Sequence, residues 1–113
     1  MNEEDARHQW HNLAAVDDLP AGQMTAHEIN GLHVALYNAG GRLLATDNIC
    51  PHGEALLTDG YLDDTVIECP LHGAQFDICN GVLLCGPAET DLRSYSTRVA
   101  DGHIQVLLPI QST

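Results

Sequence analysis

Basic residues are scarce. Only 4 of the 113 residues are Lys or Arg, against 16 Asp or Glu, and the formal net charge is −12. A field of that sign repels phosphate backbones and anionic headgroups, so no nucleic-acid or membrane-surface role is expected. It favours encounter with a basic patch on another protein, or simply keeps the chain in solution. Long apolar runs are missing too. No stretch reaches the 18 residues that a membrane helix needs. The first residues, Met1-Asn2-Glu3-Glu4-Asp5, lack the basic and apolar regions of a signal peptide, so the expected compartment is the cytoplasm. No helical period extends over 10 or more residues; residues 13–19 and 54–60 have room for a short helical turn at most. There is no Gly-rich phosphate loop, and no Ser or Cys pairs convincingly with His and Asp as a triad. Substrate chemistry is therefore not expected of this chain.

Apolar content is ample at 44%, so the chain folds, and its length suits one domain, residues 1–113. Strand signals dominate. Val, Ile, Leu, Thr and Tyr alternate with polar residues between frequent Gly, Asn and Asp breaks. Strands are expected over residues 10–13, 24–29, 32–37, 42–47, 65–69, 74–79, 82–85, 92–100 and 103–108. Asn30-Gly31, Asn80-Gly81 and Asp101-Gly102 are hairpin dipeptides. The fold class is all-β: short antiparallel strands, with sheets packed face to face or closed into a partial barrel.

The chemistry lies in Cys50-Pro51-His52-Gly53 and Cys69-Pro70-Leu71-His72-Gly73. Each loop offers a thiol and an imidazole. Proline after each cysteine stiffens the loop, and glycine after each histidine lets backbone N–H groups approach a bulky inorganic group. Two metal readings compete. Cys₂His₂ can hold one structural Zn²⁺ in an interaction module, or two irons with thiolates on one and imidazoles on the other. Mixing one Cys and one His per loop suits the second. The remaining cysteines, Cys79 and Cys85, are expected to be unligated. A two-residue turn at Asn80-Gly81 would set Cys79 opposite Val82 and Cys85 opposite Phe76, with the thiols on opposite faces. His8, His11, His27, His33 and His103 read as strand or surface residues, and Trp10, Tyr61 and Tyr95 as packing or edge residues. Asp17-Asp18 and Asp63-Asp64 read as solvated.

The motif Cys-x-His, a 16-residue spacer, then Cys-x-x-His resembles the Rieske [2Fe–2S] proteins. Gly73-Ala74-Gln75-Phe76-Asp77, Gly81 and Pro87-Ala88 resemble that family's continuation after its second histidine. The resemblance implies a Rieske-type antiparallel β sandwich with a cluster-binding part at about residues 46–88. It implies one [2Fe–2S] cluster held by Cys50, His52, Cys69 and His72. High-potential members carry a further disulfide-bonded cysteine in each loop and a serine after the second His-Gly. Ala55, Leu71 and Ala74 stand at those positions, which implies the lower end of the family's range of about −150 to +300 mV. The resemblance is nearest to ferredoxins of multicomponent aromatic-ring-hydroxylating dioxygenases. Such a protein would pass single electrons from a flavin-dependent reductase to a terminal oxygenase, as a monomer. A small Rieske subunit of an assimilatory nitrite reductase is the alternative within the family.

Overall fold

The segment Leu32-His33-Val34-Ala35-Leu36-Tyr37-Asn38-Ala39 is apolar at almost every position, so a strand made from it has no face to give to water. In the computed structural model, which describes residues 8–51, 55–71, 73–86, 88 and 90–110, this segment is strand β3 (Leu32–Ala39). Val34, Ala35, Leu36 and Tyr37 are all fully buried. Strand β3 lies between β2 (Met24–Ile29) and β4 (Arg42–Asp47), and β4 pairs on its other edge with β9 (Ser94–Tyr95).

The two faces of β3 feed two separate cores. Val34 and Leu36 pack with Ile104, Val106 and Leu108. Those three alternate along β11 (His103–Pro109), which lies between β1 (His8–Ala15) and β10 (Thr97–Ala100) in a three-stranded sheet. Ala35, Tyr37 and Ala39 point the other way and pack with Cys50, Leu57, Ile67, Cys69 and Phe76. Ile67 and Phe76 belong to a third sheet, in the order β5 (Tyr61–Asp63), β6 (Val66–Glu68), β7 (Gln75–Asp77) and β8 (Leu83–Cys85). Every strand pair is antiparallel. The all-β expectation holds. The middle sheet separates the terminal strands from the cysteine-bearing core. The buried Tyr37 hydroxyl is satisfied by Thr46 Oγ1 at 2.9 Å, and Thr46 donates in turn to the Asp47 carbonyl.

Two of the three hairpin dipeptides behave as expected. Asn30 and Gly31 (φ 52° and 86°), and Asp101 and Gly102 (φ 52° and 77°), both adopt the paired positive φ of a type I′ turn. Among the described residues helical structure is confined to single 3₁₀ turns, Val16–Asp18 and Leu57–Asp59. No helix of the described residues is long and apolar enough to cross a membrane.

Three expectations change. Tyr61–Asp63 forms an edge strand that its three-residue length hid. The segment 92–100 is two strands, β9 and β10, interrupted at Ser96. The third hairpin has a wider turn than Asn80-Gly81 suggests. Asp77 accepts from the Asn80 and Gly81 N–H groups through its carbonyl and from the Cys79 N–H through Oδ1. A bulge between Gln75 and Phe76 then sets Cys85 opposite Gln75 and Leu83 opposite Phe76. Cys79 sits in the turn and faces no strand partner. The expected register, Cys79 with Val82 and Cys85 with Phe76, is therefore wrong. Gly81 serves another purpose: a Cβ there would lie 2.2 Å from the Leu92 carbonyl oxygen.

If β3 joins the two cores, truncation within it is costly. Leu36→Ala should lower unfolding stability by about 2–5 kcal/mol, read as a lower urea midpoint at unchanged slope. Val99→Ala, at a half-exposed position, should stay within about 0.5 kcal/mol.

Candidate metal centre

Strand β4 ends at Asp47, and the chain continues through Asn48 and Ile49 to Cys50. Ile49 and Leu56 form an isolated antiparallel bridge. Around it the Leu57 N–H donates to the Asn48 carbonyl at 2.8 Å, and the Cys50 N–H donates to the Ala55 carbonyl at 3.0 Å. The second cysteine repeats this pattern. Glu68 pairs with Gln75 as the last rung of β6 and β7, and the Cys69 N–H donates to the Ala74 carbonyl at 2.8 Å. Each cysteine thus stands one residue beyond a cross-strand pair and closes a hairpin arm onto the residue five positions on. Four residues remain at each tip: 51–54 and 70–73. Proline occupies the first position of both, which suits a tight departure from the arm.

The shared register places Cys50 opposite Ala55 and Cys69 opposite Ala74. Both thiols are buried at 1% exposure in one cluster, with methyl-sized neighbours opposite them. Gly73 has φ +80° and open space where a Cβ would sit, and its N–H donates to the Cys69 carbonyl at 3.1 Å. Leu71 is half exposed at the second tip, and Ile49 is also substantially exposed beside the first arm. Two buried thiols on matched arms, each followed by a loop bearing one imidazole in the sequence, fit a two-metal group with mixed sulfur and nitrogen donors. His52 and His72 lie outside the described residues, as does Pro87.

Close backbone contacts hold the arms against each other. A Cβ on Gly60, just past the first arm, would lie 2.0 Å from the Glu68 carbonyl oxygen on the second. A Cβ on Gly86 would lie 2.5 Å from Ala74 Cα. Only glycine permits these approaches. Near the base of the first arm, Asp47 ties β4 to β9. The Tyr95 hydroxyl donates to Asp47 Oδ1, the Arg93 backbone N–H and Nε both approach Oδ2 at 3.3 Å, and the Asp47 N–H donates to the Arg93 carbonyl at 2.9 Å. Periodicity gave no hint of this network, because it joins residues 46 or more positions apart.

The remaining sequence candidates lie outside the cluster that buries Cys50 and Cys69. Among the described residues no group of three or more His, Cys, Asp and Glu gathers as a further metal site. Neither Cys79 nor Cys85 is in a disulfide. Cys79 lines a pocket with Ser94, Ser96 and Thr97, and the exposed Cys85 thiol donates to Gln75 Oε1 at 3.4 Å. His27 bonds to Thr25 Oγ1 at 2.8 Å, and burial lowers its pKa. Arg98 stacks on the half-buried Trp10 ring at 4.1 Å. Tyr61 is an exposed edge residue.

The comparisons with known proteins agree with this geometry. The model of the Rieske [2Fe–2S] domain matches residues 9–96. The ferredoxin component of the naphthalene 1,2-dioxygenase/salicylate 5-hydroxylase systems of Ralstonia sp. is 39% identical over 97 residues, covering 86% of this chain and 93% of that one. The solved ferredoxin of Sphingomonas yanoikuyae B1 superposes with a TM-score of 0.81 at 36% identity, covering 91% of this chain and 100% of that one. A chain in the complex of reduced oxygenase and oxidised ferredoxin of carbazole 1,9a-dioxygenase gives 0.81 at 33% identity, covering 86% of this chain and 91% of that one. This chain belongs to the Rieske [2Fe–2S] domain family. Its cofactor is a Rieske-type [2Fe–2S] cluster, and the zinc reading falls. The matched residues stop before β10 and end inside the β sandwich, which β11 completes by pairing with both β1 and β10.

The two inner tyrosines make a pH prediction. Burial, foremost, raises the phenol pKa of Tyr37 and of Tyr95 well above the usual range, and the bond to Asp47 adds to it for Tyr95. A folded-state pKa above the unfolded one contributes stability that is complete below the unfolded value and is lost as pH rises through the folded value. Stability should therefore be indifferent to these groups at neutral pH and fall above about pH 10. Tyr95→Phe should reduce that alkaline loss, measured by urea unfolding between neutral and alkaline pH.

Proposed function

We propose that this chain is the ferredoxin component of a multicomponent aromatic-ring-hydroxylating dioxygenase. It receives single electrons from a flavin-dependent reductase and delivers them to a terminal oxygenase. The observation that carries this reading is the near full-length likeness to dedicated ferredoxin components, 93% of the Ralstonia protein, together with the matched cysteine arms. The same relatives favour a dioxygenase system over a nitrite reductase. The protein works as a cytoplasmic monomer in this reading, one electron carrier of a larger system rather than an enzyme.

In the proposed assignment Cys50 and Cys69 would hold one iron of the cluster, and His52 and His72 the other. The cluster, when bound, takes up and releases one electron. The chain's own residues set the conditions for that. Burial of both cysteines keeps water from the sulfur end. Ala74 contributes no hydroxyl, and with Ala55 and Leu71 no disulfide can link the tips. Fewer donors near the sulfurs leave the reduced state less stabilised, which lowers the potential. Half-exposed Leu71, with Ile49 nearby, offers apolar contact beside the loops. Residues 43–92 contain no Lys or Arg but nine of the 16 acidic residues. This half of the chain suits a partner surface that is basic around an apolar centre.

Electron paramagnetic resonance of the dithionite-reduced protein should give the low average g of mixed His and Cys ligation. The midpoint potential should fall below about +100 mV, in the lower part of the family range. His72→Cys should keep a cluster and lower its potential, because a thiolate replaces a neutral imidazole. An unchanged potential in that variant would refute the ligand assignment.

A further inference from the structure

The two ligand arms share a register but not a support. The second arm is the end of β6 and β7, inside a four-stranded sheet with neighbours on both edges. Among the described residues the first arm has one isolated bridge, Ile49 with Leu56, and no strand ladder of its own. Something other than a sheet must hold Cys50 in register. Asn48 stands at the base of this arm, two residues before the cysteine. It is buried at 1% exposure, and Thr46 is the one other buried polar residue among the described residues.

Four hydrogen bonds surround Asn48. Its N–H donates to the His33 carbonyl at 2.9 Å, which ties the arm to the edge of β3. Its carbonyl accepts from the Leu57 N–H at 2.8 Å. Its Oδ1 accepts from the Thr58 N–H at 2.9 Å, and its Nδ2 donates to Thr58 Oγ1 at 3.0 Å. The Thr58 N–H can only donate, so the amide orientation is fixed and Nδ2 must face the hydroxyl. A carboxylate could accept from both the Thr58 N–H and its hydroxyl, but it would bring a charge into the core.

We infer that Asn48 is a positioning residue for the first cluster loop: clamped to Thr58, its buried amide replaces the missing sheet and fixes where Cys50 meets the cluster. The inference rests on the cluster reading above. Potential and spectrum respond to how the sulfur ligands are held, so the clamp is visible in both.

Thr58→Val tests it in the cluster-loaded protein, because it removes the hydroxyl acceptor and leaves a buried donor unbonded. Iron release to a chelator should become about tenfold faster, and the g values of the reduced cluster should shift. Thr58→Ser restores the hydroxyl and should return both readouts to those of the parent. Asn48→Ala, which removes both side-chain bonds to Thr58, should move both in the same direction as Thr58→Val. Thr97→Val removes a side-chain bond of similar length, 2.7 Å to the Leu43 carbonyl in β4, and should leave both readouts unchanged. Parental g values and release rate in Thr58→Val would overturn the inference. So would an equal response in Thr97→Val, which would mark the effect as general stability. A parent protein that binds no iron would instead overturn the cluster reading.

Discussion

Each cysteine arm closes on one backbone hydrogen bond, from the cysteine N–H to the carbonyl five residues on: Cys50 to Ala55 and Cys69 to Ala74. That bond fixes where the thiol points. It also fixes what lies opposite, and in both arms this is an alanine. A hairpin that slipped by one residue would turn both thiols out of the core. The similarity of the two loops in the sequence therefore has a structural counterpart: two arms with the same cysteine bond, their cysteines buried in one shared core.

The arms need a fixed base, and β3 supplies it. One of its faces packs on β11, while the other packs on the core that contains both cysteines. The strand's near-continuous apolar sequence reflects this double duty. Glycine completes the assembly where side chains would force the chain apart, with Gly60 against the Glu68 carbonyl of the second arm and Gly86, just after β8, against Ala74. Polar satisfaction does the rest. Tyr37 and Thr46 bond within the core, and Asp47 gathers Arg93 and Tyr95 at the base of the first arm.

Much of this was legible in the sequence. Alternation along 24–29 and 42–47 gave those strands with their observed bounds, because a strand's two-residue period does not depend on what packs against it. Asn30-Gly31 and Asp101-Gly102 gave their hairpins because left-handed backbone is a local property. Asn80-Gly81 misled for the same reason. There Asp77 captures the turn, and Gly81 is needed for its approach to Leu92, which is distant in sequence. The motif singled out Cys50 and Cys69, and the arms bury both in one cluster. Asn48 looked like an ordinary loop residue. Its partners depend on how the arm folds back, and no spacing rule encodes that.

All of this rests on what the two arms hold. Analysis of protein purified anaerobically, for metals and for acid-labile sulfide, tests that most directly. The account predicts two irons and two sulfides per chain, the content of one [2Fe–2S] cluster. One zinc with no sulfide, or no bound metal, would contradict it.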